Sequence, residues 1–320
     1  MNRLFLLLTV VLALGTRAFG YGHEGHQAIA EIARTHLSPS AHAAVIQILG
    51  TDDLASIATW LDDVRAAGRN RGSMKGDGEA KDFNKRFPKS SSWHFVNFPV
   101  GSSRYDPASV FATENDVIHA VSLAIKTLEG ASTGLSRAEA LKVLVHCVGD
   151  LHQPLHCITG YYDISNPTTP RLLTSDEATL DSAEDAGGNA LFFTKSENLH
   201  ELFDTILLKR IVKGTDYHQL AAEVERQNKA GIQTSPGDYH QWHKQWASET
   251  VKLGTDAYRG LIFGTATTSP GRGRSVRLHR INITLPPGYE STEADVLASQ
   301  IARAGLRLAE LLNSIRWAQN

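Results

Sequence analysis

The stretch Leu141–Cys157, LKVLVHCVGDLHQPLHC, packs His146, Asp150, His152 and His156 into eleven residues directly after an apolar run with helical spacing. On a helix, His146 and Asp150 lie four apart and project from one face, as two ligands of one metal would. Pro154 should end or bend that helix and aim His156 at a neighbouring position, so one stretch could feed more than one ion. Four other places put His or Asp in comparable settings: Tyr21-Gly22-His23-Glu24-Gly25-His26, Thr59-Trp60-Leu61-Asp62-Asp63-Val64-Arg65, Trp93-His94-Phe95-Val96-Asn97, and Gly187-Gly188-Asn189 followed by Asn198-Leu199-His200-Glu201-Leu202-Phe203-Asp204. His200 and Asp204 again stand four apart. Scattered His and Asp in apolar helical contexts are what metal ligands recruited from several helices look like. For any one of these histidines the bland alternative is a surface or core-satisfied ring. Nitrogen and oxygen ligands of this kind suit zinc, and no thiolate is required.

The elements that must position these residues are mainly helical. Apolar spacing predicts helices over His26–Leu37, from Ser38-Pro39-Ser40 to Gly50, and over Leu54–Arg65, Asn115–Leu128, Arg137–Leu151, Leu199–Val212, Leu220–Lys229, Gln241–Ile262 and Glu293–Trp317. Residues 66–92, rich in Gly, Lys, Arg, Asn and Ser, read as an exposed loop, and Trp93–Val100 as a brief aromatic, extended segment. The polar stretch 162–185 reads as a solvated insertion. Only Val276–Leu285 alternates with period two, and no internal repeat is evident, so the fold class expected is mostly α.

Residues 1–20 carry the marks of an export signal: Arg3, an apolar run from Leu4 to Leu14, then Ala18-Phe19-Gly20 before a cleavage point that would make Tyr21 the mature N-terminus. The run is too short to span a bilayer, and nothing later reaches eighteen unbroken apolar residues, so a secreted or periplasmic protein without a membrane span is expected. No linker divides residues 21–320, which are taken as one catalytic domain. A net charge of −2 and a pI near 6.7 argue against a long-range basic field for holding duplex nucleic acid. An anionic substrate stays open, because bound divalent cations add positive charge that the sequence count omits. Cys147 and Cys157 are the sole cysteines, and no disulfide between them is expected.

The five places, in this order and with these internal spacings, closely resemble the zinc-dependent single-strand-specific nucleases of fungi, plants and bacteria. The resemblance spans nearly the whole mature chain, including Trp246-Ala247-Ser248-Glu249 and Ala304-Gly305-Leu306-Arg307-Leu308-Ala309. It implies a multi-helix fold shared with bacterial zinc-dependent phospholipases C, and three zinc ions (Zn2+) per chain. By this resemblance Asp62, His94, His146 and Asp150 hold the first ion, and His156, His200 and Asp204 the second. The third is held by His26, by Asp150 as a bridge, and by the amino nitrogen and carbonyl oxygen of Tyr21, whose free amine exists only after processing. Asp62 would also orient the nucleophilic water, and Arg65 would pair with phosphoryl oxygens; its alternative is an exposed helix arginine. Phe95 and Asn97 match positions that stack and hydrogen-bond a base, and Asn189 could line the same pocket. For Phe95, plain core packing is the alternative.

Phosphodiester hydrolysis needs a deprotonated water, neutralised phosphoryl oxygens and a stabilised leaving oxygen, and three clustered zincs supply all three, a metal-bound hydroxide attacking phosphorus. The function expected is therefore an endonuclease that cuts single-stranded DNA and RNA to 5′-phosphate products, with 3′-nucleotidase activity as an extension, acting as a monomer. The alternatives are a zinc-dependent phospholipase C and a non-catalytic exported zinc-binding protein. Departures from the family pattern are Tyr21 where tryptophan is usual, Asn97 where some members carry Asp, and the insertion at 162–185, which falls between ligands of the second ion. His152 matches no ligand and reads as a helix-end histidine bonded to a ligand carboxylate.

Overall fold

The computed structural model describes residues 21–211, 216–270 and 276–318. The expected export signal, residues 1–20, lies outside the described residues. Eleven α-helices occur among them: α1 Gly22–Thr35, α2 Pro39–Leu49, α3 Trp60–Gly68, α4 Gly78–Arg86, α5 Val117–Leu128, α6 Arg137–His152, α7 Leu199–Glu201, α8 Leu208–Ile211, α9 Tyr217–Asn228, α10 Tyr239–Ala257 and α11 Tyr289–Ser314. Eight short strands accompany them: β1 Phe98–Pro99, β2 Ile158–Thr159, β3 Tyr161–Asp163, β4 Arg171–Leu172, β5 Ala183–Glu184, β6 Leu191–Phe192, β7 Ile262–Pro270 and β8 Val276–Thr284. The fold is mostly α, as the apolar spacing predicts.

Helix α6 is the axis. Ser136 and Glu139 close a capping box at its start, which satisfies two amides that the first turn leaves without helical partners. From Ala140 to His152 it is buried on nearly every side, the pattern of a core helix rather than a surface one. Helix α5, capped by Asp116 accepting from the His119 amide at 2.9 Å, packs along it, and α1, α3, α10 and α11 also touch it. Helix α1 in turn packs on α9 and α11. The His- and Asp-bearing helices are thus held by one continuous apolar core.

Several regions depart from the sequence expectation. Residues 66–92 contain α4, capped by Asp77, with Phe83 and Ala80 fully buried; the surrounding Lys, Asn and Gly hid a short amphipathic pattern. Helix α10 stops at Ala257, and Ile262–Pro270 is instead strand β7, paired antiparallel with β8. The stretch 162–185 is not simply solvated: β3 pairs antiparallel with β4 and β5, and Tyr162 and Asp185 are buried. The expected helix over Leu54–Arg65 divides into a 3-10 turn, Ala55–Ile57, and α3. Cys147 and Cys157 are free and buried, donating to the carbonyls of Trp93 and Leu151. Among the described residues no helix is long and apolar enough to cross a membrane.

Candidate metal centre

Helix α6 delivers His146 and Asp150 from one face, α1 delivers His26, and α3 delivers Asp62 one turn before Arg65. His94 follows a 3-10 turn, Ser90–Ser92, and His156 closes the turn Pro154–His156 just past the end of α6, where proline stops the helix. His200 sits in α7, and Asp204 lies in a π-helical segment, Leu202–Ile206. Gly149 explains how α1 comes so close: a Cβ there would stand 2.7 Å from the His26 ring nitrogen.

These side chains converge. Asp62, His94 and His146 form one potential cation-binding group, His26, His146 and Asp150 a second that shares His146, and His156, His200 and Asp204 a third. Asp150 touches all three. Its Oδ2 lies 3.0 Å from His146 Nε2 and 3.1 Å from His94 Nδ1, and its Oδ1 lies 3.3 Å from His26 Nε2 and 3.2 Å from His156 Nδ1. His94 Nδ1 is 3.6 Å from Asp62 Oδ1, and His200 Nε2 is 3.2 Å from Asp204 Oδ2.

Backbone carbonyls set the imidazoles. His146 Nδ1 lies 2.8 Å from the Ala58 carbonyl and His200 Nδ1 2.8 Å from that of Gly187, so each ring turns Nε2 toward the carboxylates. His156 Nδ1 lies 2.8 Å from the His94 carbonyl, which ties the third group to the segment bearing the first. The rings also stack: His26 on His146 at 4.1 Å between centroids, and His156 on His200 at 5.1 Å.

The donor set fits divalent cations. Both oxygens of Asp62, Oδ1 of Asp150, Oδ2 of Asp204, both ring nitrogens of His26 and Nε2 of His156 are buried with no hydrogen-bond partner. Each such group left unpaired costs about 1–3 kcal/mol, a cost that a bound cation would remove. Ligand atoms about 2.0–2.1 Å from a tetrahedral zinc are roughly 3.3 Å apart, close to the 3.0 to 3.6 Å separations here.

Electrostatics agree. Burial carries His26 down to about 4 and His94 down to about 3, so both imidazoles are neutral, the form that ligates. Burial alone would lower His146 too, but the neighbouring Asp150 and Asp62 carboxylates carry it up to about 9. Burial would raise Asp150, yet His146 and His156 hold it well below the usual carboxylate range. Burial, with Asp150 nearby, pushes Asp62 up to about 7. Without a cation a proton must balance these carboxylates, which is the position a metal would take.

A family model described as S1/P1 Nuclease matches residues 21–316. The chain belongs to the S1/P1 nuclease family. Its relatives include Nuclease S1 of Aspergillus oryzae, 28% identical over 98% of this chain and 98% of that protein. Nuclease P1 of Penicillium citrinum is 25% identical over 93% and 99%, and Endonuclease 2 of Arabidopsis thaliana 24% identical over 97% and 96%. The protein is a metal-dependent nuclease, a hydrolase of phosphodiester bonds. That takes the place of the phospholipase C and non-catalytic alternatives.

The remaining residues singled out in the sequence have the following partners. The Arg65 guanidinium lies 6.0 Å over the ring of Phe95, which is half-buried. The Asn97 carbonyl accepts from the Tyr161 hydroxyl at 3.1 Å, and the Asn189 side chain donates to the Ala186 carbonyl at 2.8 Å. Tyr21 is fully buried; its amide donates to Asp204 Oδ1 at 3.2 Å and its hydroxyl to the His152 carbonyl at 3.0 Å. His152 itself does not meet a ligand carboxylate. Its Nδ1 lies 2.8 Å from the Val148 carbonyl one turn back and its Nε2 3.2 Å from Arg307, which pairs with Glu249, because the ring leaves α6 on the side facing α11. Gln153, which sequence reasoning passed over, donates to Asp204 Oδ1 at 2.8 Å. Its position between two predicted ligand groups was the one signal that could have found it.

Proposed function

We propose that this nuclease binds three zinc ions, the first on Asp62, His94, His146 and Asp150, the second on His156, His200 and Asp204, and the third on His26, Asp150 and the backbone of Tyr21 after residues 1–20 are removed. It cuts single-stranded DNA and RNA to 5′-phosphate products and also removes 3′-phosphates from nucleotides. The mature unit is a secreted or periplasmic monomer with one catalytic domain, residues 21–320. The observation that carries the reading is the contact of Asp150 with histidines of all three groups, with Arg65 and Phe95 beside them.

Zinc ions, when bound, supply the Lewis acidity that lowers the pKa of water and neutralises phosphoryl and leaving oxygens. The chain does the rest. Asp62 offers two carboxylate oxygens without donors, so it can accept a hydrogen bond from the attacking water and orient it. Arg65 Nε has no hydrogen-bond partner, leaving that N–H able to donate to a phosphoryl oxygen as charge builds there. The Phe95 ring offers a stacking face that an unpaired base can reach and a duplex hides. Asn97 and Asn189 provide amides for the base edge.

The test is cleavage by mature protein starting at Tyr21, with metal content and product termini measured together. Three zincs per chain and 5′-phosphate ends on single-stranded substrates are expected. A fully zinc-loaded protein that leaves single strands intact while cutting duplexes would overturn the proposal. Asp62→Asn should abolish turnover while retaining most of the metal.

A further inference from the structure

Asp185 ends a polar segment that reads as solvated, yet it is fully buried and takes no part in the mechanism above. Its carboxylate accepts from the Gly160 amide at 3.1 Å, the Gly188 amide at 2.9 Å, the Tyr162 hydroxyl at 2.8 Å and the Tyr258 hydroxyl at 3.0 Å. Its own amide donates to the Gly160 carbonyl at 3.0 Å, and its carbonyl accepts from the Ala190 amide at 3.0 Å. A carboxylate with four donors is satisfied, so it is an anchor and not itself a cation ligand. The donors come from the start of β3, the glycine turn and the end of α10.

What the anchor holds is the turn that follows. Ala186, Gly187 and Gly188 all adopt left-handed backbone, with φ of 55°, 64° and 83°. A Cβ on Gly187 would stand 2.5 Å from the Leu155 carbonyl, so the turn is seated directly on the 3-10 turn that carries His156. In that conformation the Gly187 carbonyl points at His200 Nδ1, 2.8 Å away, and the other ring nitrogen faces Asp204. The link from Asp185 to the His200 ring therefore runs through the backbone of this turn.

We propose that Asp185 is a positioning residue: through the turn Ala186-Gly187-Gly188, and the Gly187 carbonyl in particular, it holds His200 in the tautomer and orientation that bind a cation with His156 and Asp204. The polar segment 162–185 is then a structural arm of this pocket, its two tyrosine bonds bracing the turn from β3 and α10. The inference rests on reading His156, His200 and Asp204 as a metal site.

The experiment uses full mature protein with zinc as the only added ligand. Asp185→Asn, Tyr258→Phe and His200→Ala are compared with wild type for zinc stoichiometry and affinity by titration, for the His200 tautomer by nitrogen NMR of the metal-free protein, and for kcat and KM. Asp185→Asn should weaken zinc at one site roughly 10–100-fold, shift His200 away from its Nδ1-protonated form, and lower kcat with KM little changed. Excess zinc should restore much of that kcat, which a merely structural defect would not allow. Tyr258→Phe, which keeps the carboxylate and removes one donor, should give a smaller shift in the same direction and serves if the Asn variant does not fold. Wild-type affinity and tautomer in folded variants would overturn the proposal, while loss of one zinc in His200→Ala would show that the metal site itself stands. If His200→Ala keeps every zinc, the metal reading fails and this inference falls with it.

Discussion

The cluster of candidate ligands has two walls, built differently. His26, Asp62, His146 and Asp150 stand on regular α-helix, in α1, α3 and α6, and their relative positions follow from helix packing and from the four-residue step within α6. On the other wall, His156 rides a 3-10 turn, Asp204 a π-helical segment, and His200 a one-turn helix braced by a left-handed glycine turn. The helical wall needs close packing, which Gly149 permits, and one carbonyl, that of Ala58, to turn His146. The irregular wall needs further groups to aim its ligands: the Gln153 side chain on Asp204 and the Gly187 carbonyl on His200.

Asp150 joins the walls, so its loss should have the largest effect. Asp150→Ala is expected to lose more than one metal ion and about a thousand-fold or more in kcat. Metal analysis that showed a single ion missing would mean the walls act independently. Glycine substitutions then separate them. Gly187→Ala places a side chain at φ 64° against the Leu155 carbonyl and should cost about 2–3 kcal/mol of stability, seen in denaturant unfolding of the metal-free protein. Gly149→Ala would put its Cβ 2.7 Å from the buried His26 ring, an overpacking that should cost about 1–3 kcal/mol and lower zinc affinity at the His26 group, leaving the His200 group in place. Loss of metal from the same group in both variants would erase the distinction.

Phe95 follows His94 in the chain and lies under Arg65 of α3. Phe95→Ala should raise KM for single strands about ten-fold with the melting temperature nearly unchanged, because the ring is half-buried. A large fall in melting temperature would return Phe95 to the core. The smallest effect concerns pH. In the metal-free protein His26 titrates near 4 and His94 near 3, both below the unfolded value because of burial. At these two rings the unfolded chain binds more protons between about pH 6.5 and 4, so their share of the stability is present above that window and lost as pH falls through it, while the Asp62 carboxyl, raised to about 7, acts in the opposite sense. Removing the opposing carboxyl in Asp62→Asn should therefore make the melting temperature of the metal-free protein fall more steeply across this range than in wild type. Parallel profiles for the two proteins would contradict the raised Asp62 carboxyl.

Much of the helical wall was legible in the sequence. The His146/Asp150 step, the break at Pro154 and the apolar spacing of α5 and α6 are local properties, and helix geometry turns spacing into direction without help from the rest of the chain. The ordered ligand groups came from the resemblance to the single-strand nucleases, and the structure brings their side chains within contact of one another. Less legible were α4, whose short pattern around Phe83 is diluted by polar neighbours, and β7, whose pairing with β8 depends on a strand that follows it.

His152 shows why some residues could not be placed. As conspicuous as His146 in the sequence, it turns toward Arg307 on α11, a partner 155 positions away that no spacing rule reaches. Asp185 looked like the end of a solvated loop, because its four donors come from three separate elements. The sequence by itself determined the long apolar helices such as α5 and α6, the residue types able to bind cations, and the steps between those sharing a helix, since these depend on backbone geometry over a few residues. The tertiary structure alone decided which carbonyl turns each imidazole, which carboxylate joins the groups and which polar residues are buried, since hydrogen bonds between distant segments exist only once the core has packed.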